Sequence, residues 1–433
     1  MESISLILLV MFGALLVILA AGVWVAMTLV AVAAGAMWLF TQVPVSSLVA
    51  STLWDASWSW PLTALPLFIW MGEILFRTRL SRDMFDGLGP WLGWLPGRLL
   101  HVNVLGCGIM AAVAGSSAVT ATTVGRMSLP ELKKRGYDEK LMIGSLAGSG
   151  TLGLIIPPSI VLIVYGVLAQ QSVAKLFIAG VLPGLMLMLL FMGYVVVWAL
   201  FNADKMPPRE PRVALGERLR RSSRLMPIIG LIAFVIGSIY SGITTPTESA
   251  ALGVVGALLL AALTGTLTAQ SFAASLLAAT RTSCMIAFIL ACAAVLSIAV
   301  AFIGIPQYLA GLVGALDLPP WLLLLTLTLF FIVLGCFLEG ISILVLSSAV
   351  VLPMVQAAGI DLIWFGIYLV VIIEMAQITP PVGFNLFVLQ SITGRNIWRV
   401  TVASAPFFLL LCLGAFLLAL FPAIVTWLPG VMS

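Results

Sequence analysis

The chain has 433 residues, 62% of them hydrophobic and 8% charged, with a mean hydropathy of +1.22 and a formal net charge of +4. That balance excludes a soluble globular protein and places most of the chain in a bilayer. The small positive charge then reads as membrane topology and not as nucleic-acid binding. One histidine, His101, rules out a metal centre built on several histidines, and a histidine-based catalytic triad is not expected. The five cysteines (107, 284, 292, 336 and 412) sit in apolar runs without CxxC spacing and read as small packing residues.

The N-terminus, "MESISLILLV", lacks the basic start of a signal peptide. Its apolar stretch continues to Phe40, long enough to cross twice with a turn near Ala20 to Gly22. Further apolar segments fall near 62–76, 140–166, 174–201, 226–243, 249–268, 278–303, 361–389 and 400–428. Two more regions, about 98–128 and 319–352, are apolar but rich in glycine, serine or threonine. Basic clusters at 77–82, 131–136 and 218–224, with Arg395 and Arg399, mark the cytoplasmic side. The stretch 44–60 carries few charges, and the tryptophans between 54 and 70 suit an outer interface. About ten crossings result, with the N-terminus outside. The two Gly/Ser-rich regions then begin and end on one face each, as re-entrant hairpins do. The segments 79–95 and 204–224 are basic and amphipathic; they read either as cytoplasmic loop or as helix lying on the inner membrane surface. In "TTPTES" (244–249), Thr247 or Ser249 is the expected cap of the next helix, with Glu248 in its first turn.

Two adjacent prolines interrupt an apolar run twice: Pro157-Pro158 in "GLIIPPSIVLIVYG" and Pro380-Pro381 in "QITPPVGFNLFVLQ". Proline removes a backbone donor and clashes with the preceding turn. Backbone groups freed at membrane depth are tolerated where they line a polar cavity or bind something. The two breaks lie 223 positions apart, and the same offset, without a gap, carries Pro130 to Pro353, Gly136 to Gly359, Asp138 to Asp361 and Pro183 to Pro406. Each copy reads hairpin, polar turn, broken helix, further helix. The topology enters the first copy from inside and the second from outside. The expected fold is therefore an all-α polytopic membrane protein built as an inverted repeat, with two re-entrant hairpins and two Pro-Pro-broken helices, the architecture of secondary transporters. Proline kinks satisfied by neighbouring side chains are the plainer alternative.

The first hairpin carries "GSSAVTATTVG" (115–125), with hydroxyls at Ser116, Ser117, Thr120, Thr122 and Thr123, and Ser128 just beyond. Hydroxyls and freed carbonyls suit a hard monovalent cation; small-residue helix packing is the other reading. The second hairpin carries "CFLEGISILVLSS", where Glu339 sits in an apolar setting as a cation ligand, a proton relay or a paired group at a bend. Glu374, Thr379 and Asn385 flank the second break, Glu374 either facing the site or lying structurally at the outer leaflet edge. The expected solute-binding set is Ser116, Ser117, Glu339, Gly340 and Asn385. The expected sodium set is Gly115, Ser116, Ser117, Thr120, Thr151, Pro157, Glu339, Ser342, Thr379 and Pro380. No catalytic residue is expected. A proposed division runs 1–76 (scaffold helices), 77–97 (amphipathic arm), 98–201 (first transport repeat), 202–277 (amphipathic segment and scaffold helices) and 278–433 (second transport repeat).

In order along nearly the whole chain, "HVNVLGCGIMAAVAGSSAVTATTVG", "LPELKKRGYDEKL", "GLIIPPSIVLIVYGVLA", "LFIAGVLPG", "TPTESAALGVVGAL" and "ITPPVGFNLFVLQ" resemble the large membrane subunit, DctM type, of tripartite ATP-independent periplasmic (TRAP) transporters. The resemblance implies sodium-driven uptake of small, usually carboxylate-bearing solutes across the bacterial inner membrane, by an elevator motion of the hairpin-bearing domain. It implies Na+ as coupling ion, a periplasmic solute-binding protein (DctP type), and a small four-helix membrane subunit (DctQ type) as a separate chain. Where many family members carry an aspartate, this chain has Thr120. Three other functions compete: a carboxylate transporter that needs no binding protein, an intramembrane hydrolase using Ser116, and a passive channel. No paired carboxylates on one helix serve the hydrolase, and two hairpins entering from opposite sides suit alternating access better than a channel.

Overall fold

The computed structural model describes residues 2–432 apart from 58–59, 79, 209–213, 316–318, 337 and 381–382. All the regular structure among these is helical. The apolar pattern locates most helices directly: Glu2–Ala20, Val25–Phe40, Ala64–Phe76, Val173–Phe201, Met226–Tyr240 and Pro246–Leu263. Both Gly/Ser-rich regions are helical hairpins, Leu100–Ala114 with Ser117–Lys134 and Pro320–Gly335 with Gly340–Ala357. Among the described residues, five helices are long and apolar enough to cross a bilayer alone. Two bent pairs add to these: Glu139–Ile155 with Ile160–Leu168 (41°), and Leu215–Ser222 with Met226–Tyr240 (56°). The ten crossings read from the sequence therefore need the shorter apolar helices as well.

Some elements differ from the sequence reading. The stretch 44–60 contains the helix Val45–Ala56, and a short helix Ile305–Ala315 follows Ile303 after Gly304 turns the chain with φ +81°. The last apolar segment divides into Ile397–Leu420 and Ala423–Met432. The cap of Pro246–Leu263 is Thr245, not Thr247 or Ser249: Thr245 accepts from the Glu248 N–H at 3.3 Å, and Glu248 accepts from the Thr245 N–H at 2.8 Å. This capping box leaves Thr247 buried and Ser249 bonded to the Val235 carbonyl at 2.7 Å.

Residues 223 apart play the same structural part. Asp138 and Asp361 each cap a helix, accepting from the N–H of Leu141 (3.0 Å) and Trp364 (2.7 Å). Gly136 and Gly359 turn the chain into those caps with φ of +79° and +72°. Four of the helix contacts form two mirrored pairs. Ala269–Ile303 packs along Val25–Phe40, and Pro246–Leu263 packs along Ala64–Phe76. Phe384–Thr393 lies on Ser117–Lys134, and Ile160–Leu168 lies on Gly340–Ala357. Each second contact is the first with its partners shifted by 223, as a pseudo-two-fold axis requires. The correspondence reaches beyond the 130–183 window, since Val25–Phe40 answers to Pro246–Leu263 and Ala64–Phe76 to part of Ala269–Ile303. The helix Ala269–Ile303 also runs unbroken across the division placed at 277, and packs most on Val25–Phe40 and Ala64–Phe76, and also on Gly340–Ala357 and Val45–Ala56. Losing either cap is expected to cost about 1 kcal/mol. Thermal melts of Asp138→Ala and Asp361→Ala should show two comparable losses that add in the double variant, since the caps share no partner.

Candidate functional site

The first hairpin reverses at Gly115, which ends Leu100–Ala114 with φ +58°, and at the extended Ser116. This tip sits on the first break. The Ile160 N–H donates to the Gly115 carbonyl at 3.4 Å, and a Cβ on Gly115 would lie 2.9 Å from the Pro158 carbonyl oxygen. A Cβ on Gly153 would fall 2.6 Å from the Ser116 carbonyl, so only glycine lets the short helix Leu152–Ile155 approach the tip. The break is closed locally: Ser159 accepts from the Leu162 N–H at 3.3 Å and donates to the Leu154 carbonyl.

The second hairpin turns at Glu339, the residue before Gly340–Ala357. Its half-buried carboxylate faces the Ile341 and Ser342 N–H groups, where a helix N-terminus favours negative charge. A Cβ on Gly340 would lie 2.6 Å from Gln377 Nε2 and 3.3 Å from Leu154 Cδ1. Cys336 Sγ donates to the Pro380 carbonyl at 3.4 Å, tying the hairpin to the second break.

The two tips therefore reach across to each other's broken helix. Ser117 Oγ donates to Gln377 Oε1 at 3.3 Å, while Gly340 abuts Leu154. These two contacts exchange under the 223 offset. Glu374 lies beside this crossing, buried, with Asn385 Nδ2 donating to its Oε2 at 3.4 Å. Ser117 and Glu339 both lie within electrostatic reach of it. Glu374 Oε1, Asn385 Oδ1, Thr120 Oγ1, Thr123 Oγ1 and Ser149 Oγ are buried without a hydrogen-bond partner. Buried polar atoms are normally paired. Of these, Glu374 Oε1 and Asn385 Oδ1 lie on side chains bonded to each other, and a carboxylate oxygen beside an amide oxygen is a donor pair a hard cation takes.

Of the residues expected from sequence, Gly115, Ser116, Ser117, Glu339 and Gly340 are brought together at the crossing, with Asn385 joined through Glu374. Thr120 is buried and unpaired. The rest are placed differently. The Thr151 and Thr379 hydroxyls bond to the Gly148 and Met375 carbonyls of their own helices, both at 2.6 Å. Ser342 is buried in the first turn after Glu339. The Pro158 carbonyl, and not that of Pro157, meets the first tip, while Pro157 lines an apolar crevice. Pro380 is exposed, and Pro381 lies outside the described residues. The expected sets leave out Gln377 and Glu374. The offset pairs Glu374 with Thr151, a residue of the expected sodium set, but Gln377 only with Leu154, so it marks Glu374 and not Gln377.

The chain matches the DctM component of the tripartite ATP-independent periplasmic transporters over residues 12–424. It is 34% identical to the C4-dicarboxylate TRAP transporter large permease protein DctM of Pseudomonas aeruginosa, over 90% of this chain and 91% of that one. It is 31% identical to the ectoine TRAP transporter large permease protein TeaC of Halomonas elongata, over 85% and 86%. Among solved structures, the Alcanivorax borkumensis YdaH transporter superposes with a TM-score of 0.62 at 14% identity, covering 92% of this chain and 97% of that one.

Proposed function

The chain belongs to the DctM family, the large membrane component of tripartite ATP-independent periplasmic transporters, and on that premise we propose that it drives sodium-coupled uptake of a small carboxylate-bearing solute across the bacterial inner membrane. The observation that carries this reading is the crossing of the two hairpin tips at Ser117 and Gln377, with the Glu374 Oε1 and Asn385 Oδ1 oxygens beside it buried and unpaired. Neutral oxygens with few carboxylates suit sodium better than a chain of titratable groups would suit protons. The sodium travels as cargo. The hydroxyls and amides beside it are placed to take the solute carboxylate, as Ser116 and Ser117 stand at the N-terminus of Ser117–Lys134.

In this reading the pseudo-two-fold axis lies in the membrane plane, so each hairpin gates one side of a shared centre. Val25–Phe40, Ala64–Phe76, Pro246–Leu263 and Ala269–Ile303 form the static frame. The hairpins, broken helices, Val173–Phe201 and Ile397–Leu420 move as one body. A small four-helix subunit and a periplasmic binding protein complete the system. The relatives' substrates, C4-dicarboxylates and ectoine, are carboxylate-bearing and support that solute class.

The test is uptake of labelled solute in proteoliposomes holding all subunits. Replacing external sodium with choline should reduce uptake to background. Full uptake under a proton gradient alone would refute sodium coupling. Labelled-solute counterflow should also be seen; its absence would point to a channel.

A further inference from the structure

Two amphipathic helices, Leu80–Leu92 and the basic Leu215–Ser222, clasp one another. Trp91 Nε1 donates to Ser222 Oγ at 2.6 Å, Ser222 Oγ donates to the Gly87 carbonyl at 3.0 Å, and a Cβ on Gly87 would sit 2.7 Å from Leu225 Cδ1. Beside this clasp is a cavity of about 280 Å³ lined by Asp86, Glu217, Arg220, Arg221 and Arg224. Arg221 is held by Glu217 at 3.0 Å. Arg220 and Arg224, one turn apart and exposed, pair with no carboxylate among the described residues. The hydrogen bond from Arg221 holds the Glu217 carboxyl below the usual carboxylate range, and by formal charge three arginines against two acids leave the notch with one net positive charge. The same arms expose Leu215 (67%), Leu219, Trp91 and Trp94 (75%). A helix with one basic face and exposed leucines lies in the headgroup layer of a bilayer.

We propose that this notch is a headgroup site for a monoanionic phospholipid, the phosphodiester bridging Arg220 and Arg224 while its acyl chains run along Leu215 and Leu219. Guanidinium groups hold phosphate oxygens by paired, charge-assisted hydrogen bonds. A phosphodiester brings one negative charge to a notch of net charge one. Inorganic phosphate would bring more charge against Asp86 and Glu217, and no apolar portion for the leucines. The lipid would pin the clasped arms to the membrane surface on either side of the moving parts.

The experiment titrates the purified full chain in detergent with dioleoyl phosphatidylglycerol, and separately with dioleoyl phosphatidylcholine, counting bound lipid by native mass spectrometry. One phosphatidylglycerol per chain should be held in preference to phosphatidylcholine. Its affinity should fall roughly 25-fold in the double variant R220Q/R224Q, at about fivefold per arginine, and stay unchanged in R399Q. Asp86→Asn should tighten binding severalfold, a gain that a folding defect cannot mimic. Equal retention of phosphatidylcholine, an unaltered double variant, no gain in Asp86→Asn, or displacement by millimolar inorganic phosphate would each overturn the assignment. None of these outcomes depends on sodium or on transport.

Discussion

Uptake is expected to fall to background when Glu374 is replaced by alanine, and the same is expected of Glu339→Ala. Glu374 is 2% exposed, and Asn385 is its neutral partner at 3.4 Å. A buried carboxylate without a cationic side chain beside it is costly unless a cation arrives from outside the protein. Removing it from a desolvated ion site costs roughly 3 kcal/mol or more, a hundredfold or more in affinity. Glu339 acts from the other hairpin, at the position that answers to Ser116 under the 223 offset. Both variants should still insert and assemble with the small subunit, because an alanine at either place leaves no charge unpaired. Normal transport by Glu339→Ala would show that the second hairpin has no part in the ion site. Normal transport by Glu374→Ala would move the site away from the crossing altogether.

The second large effect concerns motion. Met226–Tyr240 faces the first hairpin across an apolar crevice of about 360 Å³, with Ile229, Ile232 and Ile236 opposite Leu105 and Ile109. The facing side chains are apolar apart from Tyr240, whose hydroxyl donates to the Phe177 carbonyl at 3.2 Å, so a slide of the moving body past this helix must break that hydrogen bond. In a background with the five native cysteines replaced, Ile109→Cys should pair with a cysteine at 232 under one set of conditions and at 236 or beyond under the other. Each residue of shift along the helix corresponds to about 1.5 Å along the membrane normal. Crosslinked protein should lose transport almost completely and recover it on reduction. A single pairing in every condition, with transport still active when crosslinked, would contradict the sliding body.

Much of this was legible in the sequence because its punctuation is scarce and chemically strict. Proline, glycine with positive φ and a capping aspartate have few substitutes in an apolar chain, so Pro130, Gly136, Asp138 and their counterparts revealed a repeat. The outer helices of the repeat carry no such marks. Val25–Phe40 and Pro246–Leu263 share only common apolar residues under the offset (Leu29 with Leu252, Val32 with Val255, Ala34 with Ala257), so their correspondence appears in the mirrored contacts. The hairpin tips were readable from Gly115, Ser116 and Glu339. Gln377 was not, because a glutamine at the end of an apolar helix looks like an interfacial residue until Ser117, 260 positions away, is found bonded to it. Hydroxyls misled where a helix carbonyl lay within their own reach, as at Thr151 and Thr379. Among the unpaired hydroxyls, Thr120 stood in the expected sodium set, whereas Ser149 carries no distinguishing mark in the sequence.

The central claim is that sodium is held where the two hairpin tips cross. Equilibrium binding of radiolabelled sodium to the purified complex, without solute or gradient, tests it most directly. The wild type should bind saturably, Glu374→Gln should weaken binding a hundredfold or more, and Thr379→Val, whose hydroxyl is spent on its own helix, should leave binding unchanged. Undiminished sodium binding by Glu374→Gln would contradict it.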